Sequence, residues 1–118
     1  MSVWENLSWE RIVPENPSTV LLRLSGALTS TAESYAFLEE VRSELAEEIT
    51  HVVVNLEKVE RITSAGVGIL CAAFSSVKGK GGELVLVGLS DRNQVLLKAV
   101  GLWDQIKHFD GETDVKLD

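Results

Sequence analysis

The residues able to do chemistry in this chain are a few hydroxyls, two histidines, one cysteine and two glycine-rich stretches. Thr63-Ser64 stands directly before Ala65-Gly66-Val67-Gly68-Ile69-Leu70, where apolar residues at helical spacing begin. A Ser or Thr placed there accepts a hydrogen bond from a first-turn amide and caps the helix. The same place offers unpaired amides and the positive end of the helix dipole, both of which favour an anion. A phosphorylated hydroxyl would therefore be stabilised locally while changing the surface that a partner meets. Capping alone satisfies the spacing, and the same holds for Thr29, Ser30 and Thr31 ahead of an earlier helical pattern.

The remaining candidates point away from catalysis. His51 and His108 are far apart, Cys71 lies in an apolar helical run, and no metal-ligand spacing is visible. Nothing adjacent to Cys71 would stabilise a thiolate, so it is expected to be a small buried side chain, with each histidine at a strand end. Gly79-Lys80-Gly81-Gly82 runs from helix to strand, the reverse of a phosphate-cradling loop, and reads as a turn. Gly66-Val67-Gly68 opens a helix after a strand, but it lacks the third glycine and the downstream acidic residue of a dinucleotide fingerprint. No catalytic residue, metal or cofactor is read from the sequence.

These residues need elements to position them. Ser8-Trp9-Glu10-Arg11-Ile12-Val13 alternates before Pro14 and Pro17, predicting a short edge strand. Val20-Leu21-Leu22-Arg23-Leu24-Ser25 predicts a stronger strand, with Gly26 letting the chain turn. Ser30-Thr31-Ala32-Glu33 has the form of a capping box, and Tyr35, Leu38, Val41, Leu45 and Ile49 form the apolar stripe of a helix. The β-branched run His51-Val52-Val53-Val54-Asn55-Leu56, without alternation, predicts a central strand covered on both faces, and a charged connection follows it.

A second helix starts at Thr63 or Ser64, and Glu83-Leu84-Val85-Leu86-Val87 is the next strand. Ser90 caps a third helix carrying Val95, Leu96, Ala99 and Val100. A last short strand falls near Ile106 to Phe109, and the polar tail after Asp110 is expected to fray. The order predicts one α/β domain over residues 1–118. Its sheet is mixed and mostly parallel, with four to five strands and three to four helices, and residues 1–8 and 111–118 are expected to be loosely ordered.

Composition narrows the function. The chain has 118 residues, 45% of them hydrophobic and 25% charged, which fits one domain with its own core. A net charge of -7 repels phosphate backbones and anionic lipid, so nucleic acid is disfavoured as a partner. The longest run free of polar residues, 65–74, is half of the ~20 residues that cross a bilayer, so no membrane insertion is expected. A lone cysteine, and no charged segment leading into an apolar one at the start, predict a reducing, cytosolic location.

Four segments together resemble the STAS domain, typified by bacterial anti-sigma factor antagonists, over roughly residues 19–109. They are Leu21-Leu22-Arg23-Leu24-Ser25-Gly26-Ala27-Leu28, His51-Val52-Val53-Val54-Asn55-Leu56-Glu57, Thr63-Ser64-Ala65-Gly66-Val67-Gly68-Ile69-Leu70 and Gly81-Gly82-Glu83-Leu84-Val85-Leu86-Val87. The resemblance implies a non-catalytic module that binds a kinase-type anti-sigma factor or related regulator. In such partner switching, phosphorylation of a serine at the second helix start breaks the contact and a phosphatase restores it. The family pattern there is commonly Asp-Ser-Ser-Gly. Matching its glycine to Gly66 puts Thr63 on the Asp, Ser64 on the first serine and Ala65 on the acceptor.

The usual acceptor hydroxyl is thus missing, which implies a permanently unphosphorylated binder, or use of Ser64 or Thr63 instead, or a branch of the family with another job. The implied partner surface comprises Leu28, Thr29, Ser30, Ile62, Thr63, Ser64, Ala65, Gly66 and Val67. Arg23 is expected to be solvated or ion-paired and Trp103 a packing residue, while Trp4 and Trp9 either seal the sheet edge or make a contact. Two other classes compete: a STAS accessory subunit of a membrane transporter, and a small nucleotide-binding protein with a site near Gly66.

Overall fold

The structure is a computed structural model that describes residues 6–116. Five strands form one sheet in the order β1-β2-β3-β4-β5: Ser8–Ile12, Thr19–Leu28, His51–Ile62, Glu83–Val87 and Lys107–Phe109. The first pair is antiparallel and the other three are parallel. Helices α1 (Ala32–Ala46), α2 (Ser64–Gly79) and α3 (Asp91–Ala99) connect the parallel strands, and a 3-10 turn, Glu112–Asp114, follows β5. The predicted α/β class and its antiparallel edge strand are therefore present, with five strands and three α-helices among the described residues. Trp4 lies outside the described residues; Trp9 packs edge-on against Phe37, with centroids 6.1 Å apart, and closes the β1 side of the core.

Each strand presents alternate residues to opposite faces of the sheet. One face carries Val20, Leu22, Leu24, Val52, Val54, Leu56, Leu84 and Leu86. They form a single core with Phe37, Val41 and Leu45 of α1, Leu70, Ala73 and Val77 of α2, and Leu97 of α3. The other face carries a smaller cluster, Val53, Val85 and Val87, against which Leu21, Phe109 and Val115 pack. β3 is indeed covered on both faces, but the second cover is the C-terminal segment rather than a helix. Consecutive strand order explains this, because right-handed crossovers that all advance in one direction leave every helix on one side.

Several sequence expectations are corrected. The chain does not turn at Gly26: β2 runs on to Leu28, with Gly26 at φ 108°, a conformation that favours glycine. The stretch after Leu56 is not a connection but six further residues of strand, 57–62. Irregular register between Arg23 and Ser25 and between Gly26 and Ala27 shifts the pairing there, which disguises the alternation.

Helix α1 is capped by Thr31, not Ser30, since the Thr31 hydroxyl accepts the Ser34 N–H at 3.2 Å. That shift in phase buries Phe37 and leaves Tyr35 52% exposed, and Ile49 packs from beyond the helix end. Helix α3 turns Leu97 and Asn93 inward, the Asn93 amide donating to the Val59 carbonyl. Its expected apolar residues Val95 and Val100 face outward. A nine-residue helix anchored at two positions four apart has no room for a second buried stripe.

Candidate docking site

Leu28 and Ile62 are register partners at the ends of β2 and β3, so the loops leaving these strands emerge side by side at one edge of the sheet. The N-termini of α1 and α2 follow those loops. Thr63 is the cap of α2: its hydroxyl accepts the Gly66 N–H at 3.4 Å and its carbonyl accepts the Val67 N–H at 2.9 Å. The Thr63 N–H donates to the Leu28 carbonyl at 3.1 Å, tying the helix start to β2. Gly66 is required by this approach, because a Cβ there would collide with the same carbonyl.

The neighbouring loop is held by hydroxyls. The Ser34 hydroxyl accepts the Thr29 N–H at 3.0 Å and bonds the Thr31 hydroxyl at 3.0 Å. These bonds fix residues 29–31 beside the α2 start without any charged group.

The nine residues of the expected partner surface fall into two sets. Ser30 and Ser64 are exposed, and Thr63 and Ala65 are half-buried, so these four present atoms outward. Leu28, Thr29, Ile62, Gly66 and Val67 are buried and hold the surface in place from beneath. None of the nine is ionisable. The patch is neutral, small-featured and rigidly supported, and it lies over the positive end of the α2 dipole. Such an arrangement can be covered by another surface, and a negative charge added to it would alter that contact strongly.

The other sequence candidates do not converge on this site. His51 opens β3, its ring bonded to the Thr50 hydroxyl at 3.0 Å. His108 lies within β5 and stacks on Trp103 with centroids 3.5 Å apart. Trp103 also receives Lys98 over its ring and packs against the core. Cys71 is only partly buried, because it sits on the flank of α2 rather than on its inward stripe. Gly79-Lys80-Gly81-Gly82 is the turn it was read as: Gly81 has φ +76°, and Gly82 passes so close to the Thr50 carbonyl that a Cβ would collide.

Sequence reasoning missed a polar constellation on the opposite face of the sheet. Glu112 makes a two-pronged ion pair with Arg23 and accepts a further hydrogen bond from the Asn55 amide. The hydrogen bond from Arg23 holds the Glu112 carboxyl below the usual carboxylate range, against the opposing effect of burial, and Arg23 is raised in turn. Within the stretch after Asp110, Glu112–Asp114 form a 3-10 turn and Glu112 is ion-paired to Arg23. Arg23 and Asn55, lone polar residues within apolar strand runs, were the visible signal. Their partner lies 89 positions from Arg23, beyond the reach of local pattern.

A family model for the STAS domain matches residues 10–115 of this chain. An anti-sigma-B factor antagonist of Listeria monocytogenes is 41% identical over 61 residues, covering 50% of this chain and 54% of that relative. The match thus spans about half the length of that relative. Among solved structures, an anti-sigma factor antagonist from Mycobacterium paratuberculosis superposes with a TM-score of 0.80 at 18% identity, covering 97% of this chain and 94% of that one. A sulfate transporter family protein from Wolinella succinogenes gives 0.69 at 19% identity, covering 86% and 83%. Likeness at these identities speaks to the fold. With the fold, the capped α2 start and the family match in agreement, the chain belongs to the STAS domain family.

Proposed function

We propose that this protein is an anti-sigma factor antagonist that acts by docking, not by catalysis, and that its docking surface is centred on Thr63, Ser64 and Ala65. The relatives' names support an anti-sigma factor as the class of partner, and the family resemblance implies one of kinase type. The observation that carries the reading is a neutral, half-exposed helix start, braced from below by Leu28 and Gly66, in which a methyl group occupies the position where the family pattern places its acceptor serine. A dianion in a tight, uncharged contact costs several kcal/mol in desolvation unless the partner supplies cations, so phosphorylation there breaks a complex. Ala65 cannot take phosphate. The Thr63 hydroxyl is engaged as the cap and Ser64 is displaced by one position, about 100° around the helix. The chain is therefore a constitutive binder, and its lone cysteine fits a reducing, cytosolic place of work. The transporter-subunit reading has a likeness of fold alone behind it.

The test is to incubate the protein with a kinase-type anti-sigma factor from its own organism and with ATP, then measure intact mass and complex formation. A stable complex without an adduct is expected. Phosphate mapped to Ser64 or Thr63, with release of the partner, would overturn constitutive binding.

A further inference from the structure

The helix-free face of the sheet carries a seat that is already filled. Arg23 and Asn55 are register partners on adjacent strands, and both side chains point away from the helices. The Glu112 carboxylate lies across them, with Oε2 2.8 Å from Arg23 Nε and Oε1 2.9 Å from Nη2, and the Asn55 amide donates to Oε2. Asn55 is preset for this, because its Oδ1 accepts the Glu57 N–H at 2.8 Å and leaves its amide aimed at the seat. Three residues further on, Val115 packs with Val53, Val85 and Val87. Asp114 closes the turn between the two contacts by accepting the Gly111 N–H at 3.0 Å.

Residues 111–115 thus lie on the sheet as a short docked peptide would, through one carboxylate and one branched aliphatic side chain. Beside them a cavity of about 640 Å³ continues along the same face, bordered by Ser8, Glu10, Ser25 and Lys58, so the groove extends beyond its occupant. The seat is selective, since a guanidinium fork beside an amide donor matches a planar carboxylate. The hold is weak: Arg23 is 47% exposed, and an ion pair this open to water stabilises little.

We infer that this face is a peptide-docking groove occupied in cis by the chain's own residues 111–115. A partner segment bearing a carboxylate, and three residues later a branched aliphatic side chain, displaces them. The inference concerns a different face from the α2 start and does not depend on the function proposed for that site.

The probe is a peptide of residues 111–115, acetylated and amidated so that only side chains carry charge. It is titrated into the full chain while the Arg23 Nε and Asn55 amide resonances are followed. A Glu112→Gln/Val115→Ala variant, whose own tail is unseated, is expected to bind about threefold more tightly than wild type, whose weakly held tail leaves the seat empty part of the time. Adding Arg23→Ala is expected to abolish the response of the Asn55 amide, and replacing the peptide's Glu by Gln the response of both groups. No perturbation of these two resonances in the folded variant at millimolar peptide overturns the inference, as does equal binding of the Gln peptide. Should the variant fail to fold, the Glu and Gln peptides are compared on wild type at millimolar concentration, and an equal or absent response overturns it. Concentration-dependent dimerisation through exchanged tails would overturn the assignment to a partner in favour of a second copy.

Discussion

The two faces of the sheet are held by different physics. On the helix side, three helices cover a continuous apolar core in which Leu22, Phe37, Val54, Leu70 and Leu86 are almost wholly removed from water. On the other side, a short C-terminal segment covers three valines and is fastened by one water-accessible ion pair. The first arrangement is stiff, so it suits a surface that must keep its shape, and the α2 start is built on it. The second is specific but loosely held, which suits exchange. A residue on either face can therefore be asked which kind of support it belongs to.

Core truncation should hurt most. Phe37→Ala is expected to cost about 3–5 kcal/mol, read as a drop in the urea midpoint, because the ring is fully buried and its loss leaves a cavity. A loss below about 1 kcal/mol would mean that the helix face is far less tightly packed than the geometry says. Gly66→Ala comes next, at about 1–3 kcal/mol, since the new methyl group meets the backbone carbonyl of Leu28 and not a yielding side chain. The same variant should weaken partner binding, because β2 and α2 must part to admit it.

The smallest effect belongs to the other face and appears as a dependence on pH. The Glu112 carboxyl is lowered by its hydrogen bond from Arg23, so its contribution is fully present above the ordinary carboxylate range and is lost as pH falls through the depressed folded value. Glu44, buried against Arg11 at the edge of the helix face, has the same sign. Glu40 has the opposite sign. Its folded value is raised, chiefly by sharing a hydrogen bond with Glu44, so its contribution is present at low pH and is lost as pH rises through that value. Glu112→Gln should therefore reduce the acid sensitivity of the urea midpoint while leaving the Glu44 and Glu40 components in place. An unchanged pH profile would show that the tail is not held by this ion pair.

Local pattern carried much of this fold. A cap at Thr63 or Ser64, the strand Glu83–Val87 and a turn over residues 79–82 follow from residue chemistry acting over a few positions, and the structure settles the cap on Thr63 and has the other two where the spacing placed them. What escaped was set by tertiary contact. The phase of α1 depends on whether Ser30 or Thr31 turns its hydroxyl inward, and Ser34 decides that through its bonds to Thr31 and the Thr29 amide. The length of β3 was hidden by the register irregularities in its pairing with β2, which carry the charged residues 57–61 into the sheet.

The site divides along the same line. The helix start was legible from Thr63-Ser64, whereas the burial of Leu28, Ile62 and Val67 beneath it required the register of two strands distant in sequence. Glu112 had no local cue at all, since a carboxylate in a polar tail looks solvated until the fold brings Arg23 and Asn55 beneath it.

The most direct test of the docking surface is calorimetric titration of the proposed partner, a kinase-type anti-sigma factor, with ATP present, into wild type and into Ala65→Asp, with folding of each checked by circular dichroism. The account predicts that wild type binds without loss over time and that the added carboxylate weakens binding by at least about tenfold, the effect of more than 1.4 kcal/mol at a neutral contact. Equal affinity of the two proteins would contradict it, because the half-buried methyl group at the start of α2 would then lie outside the contact.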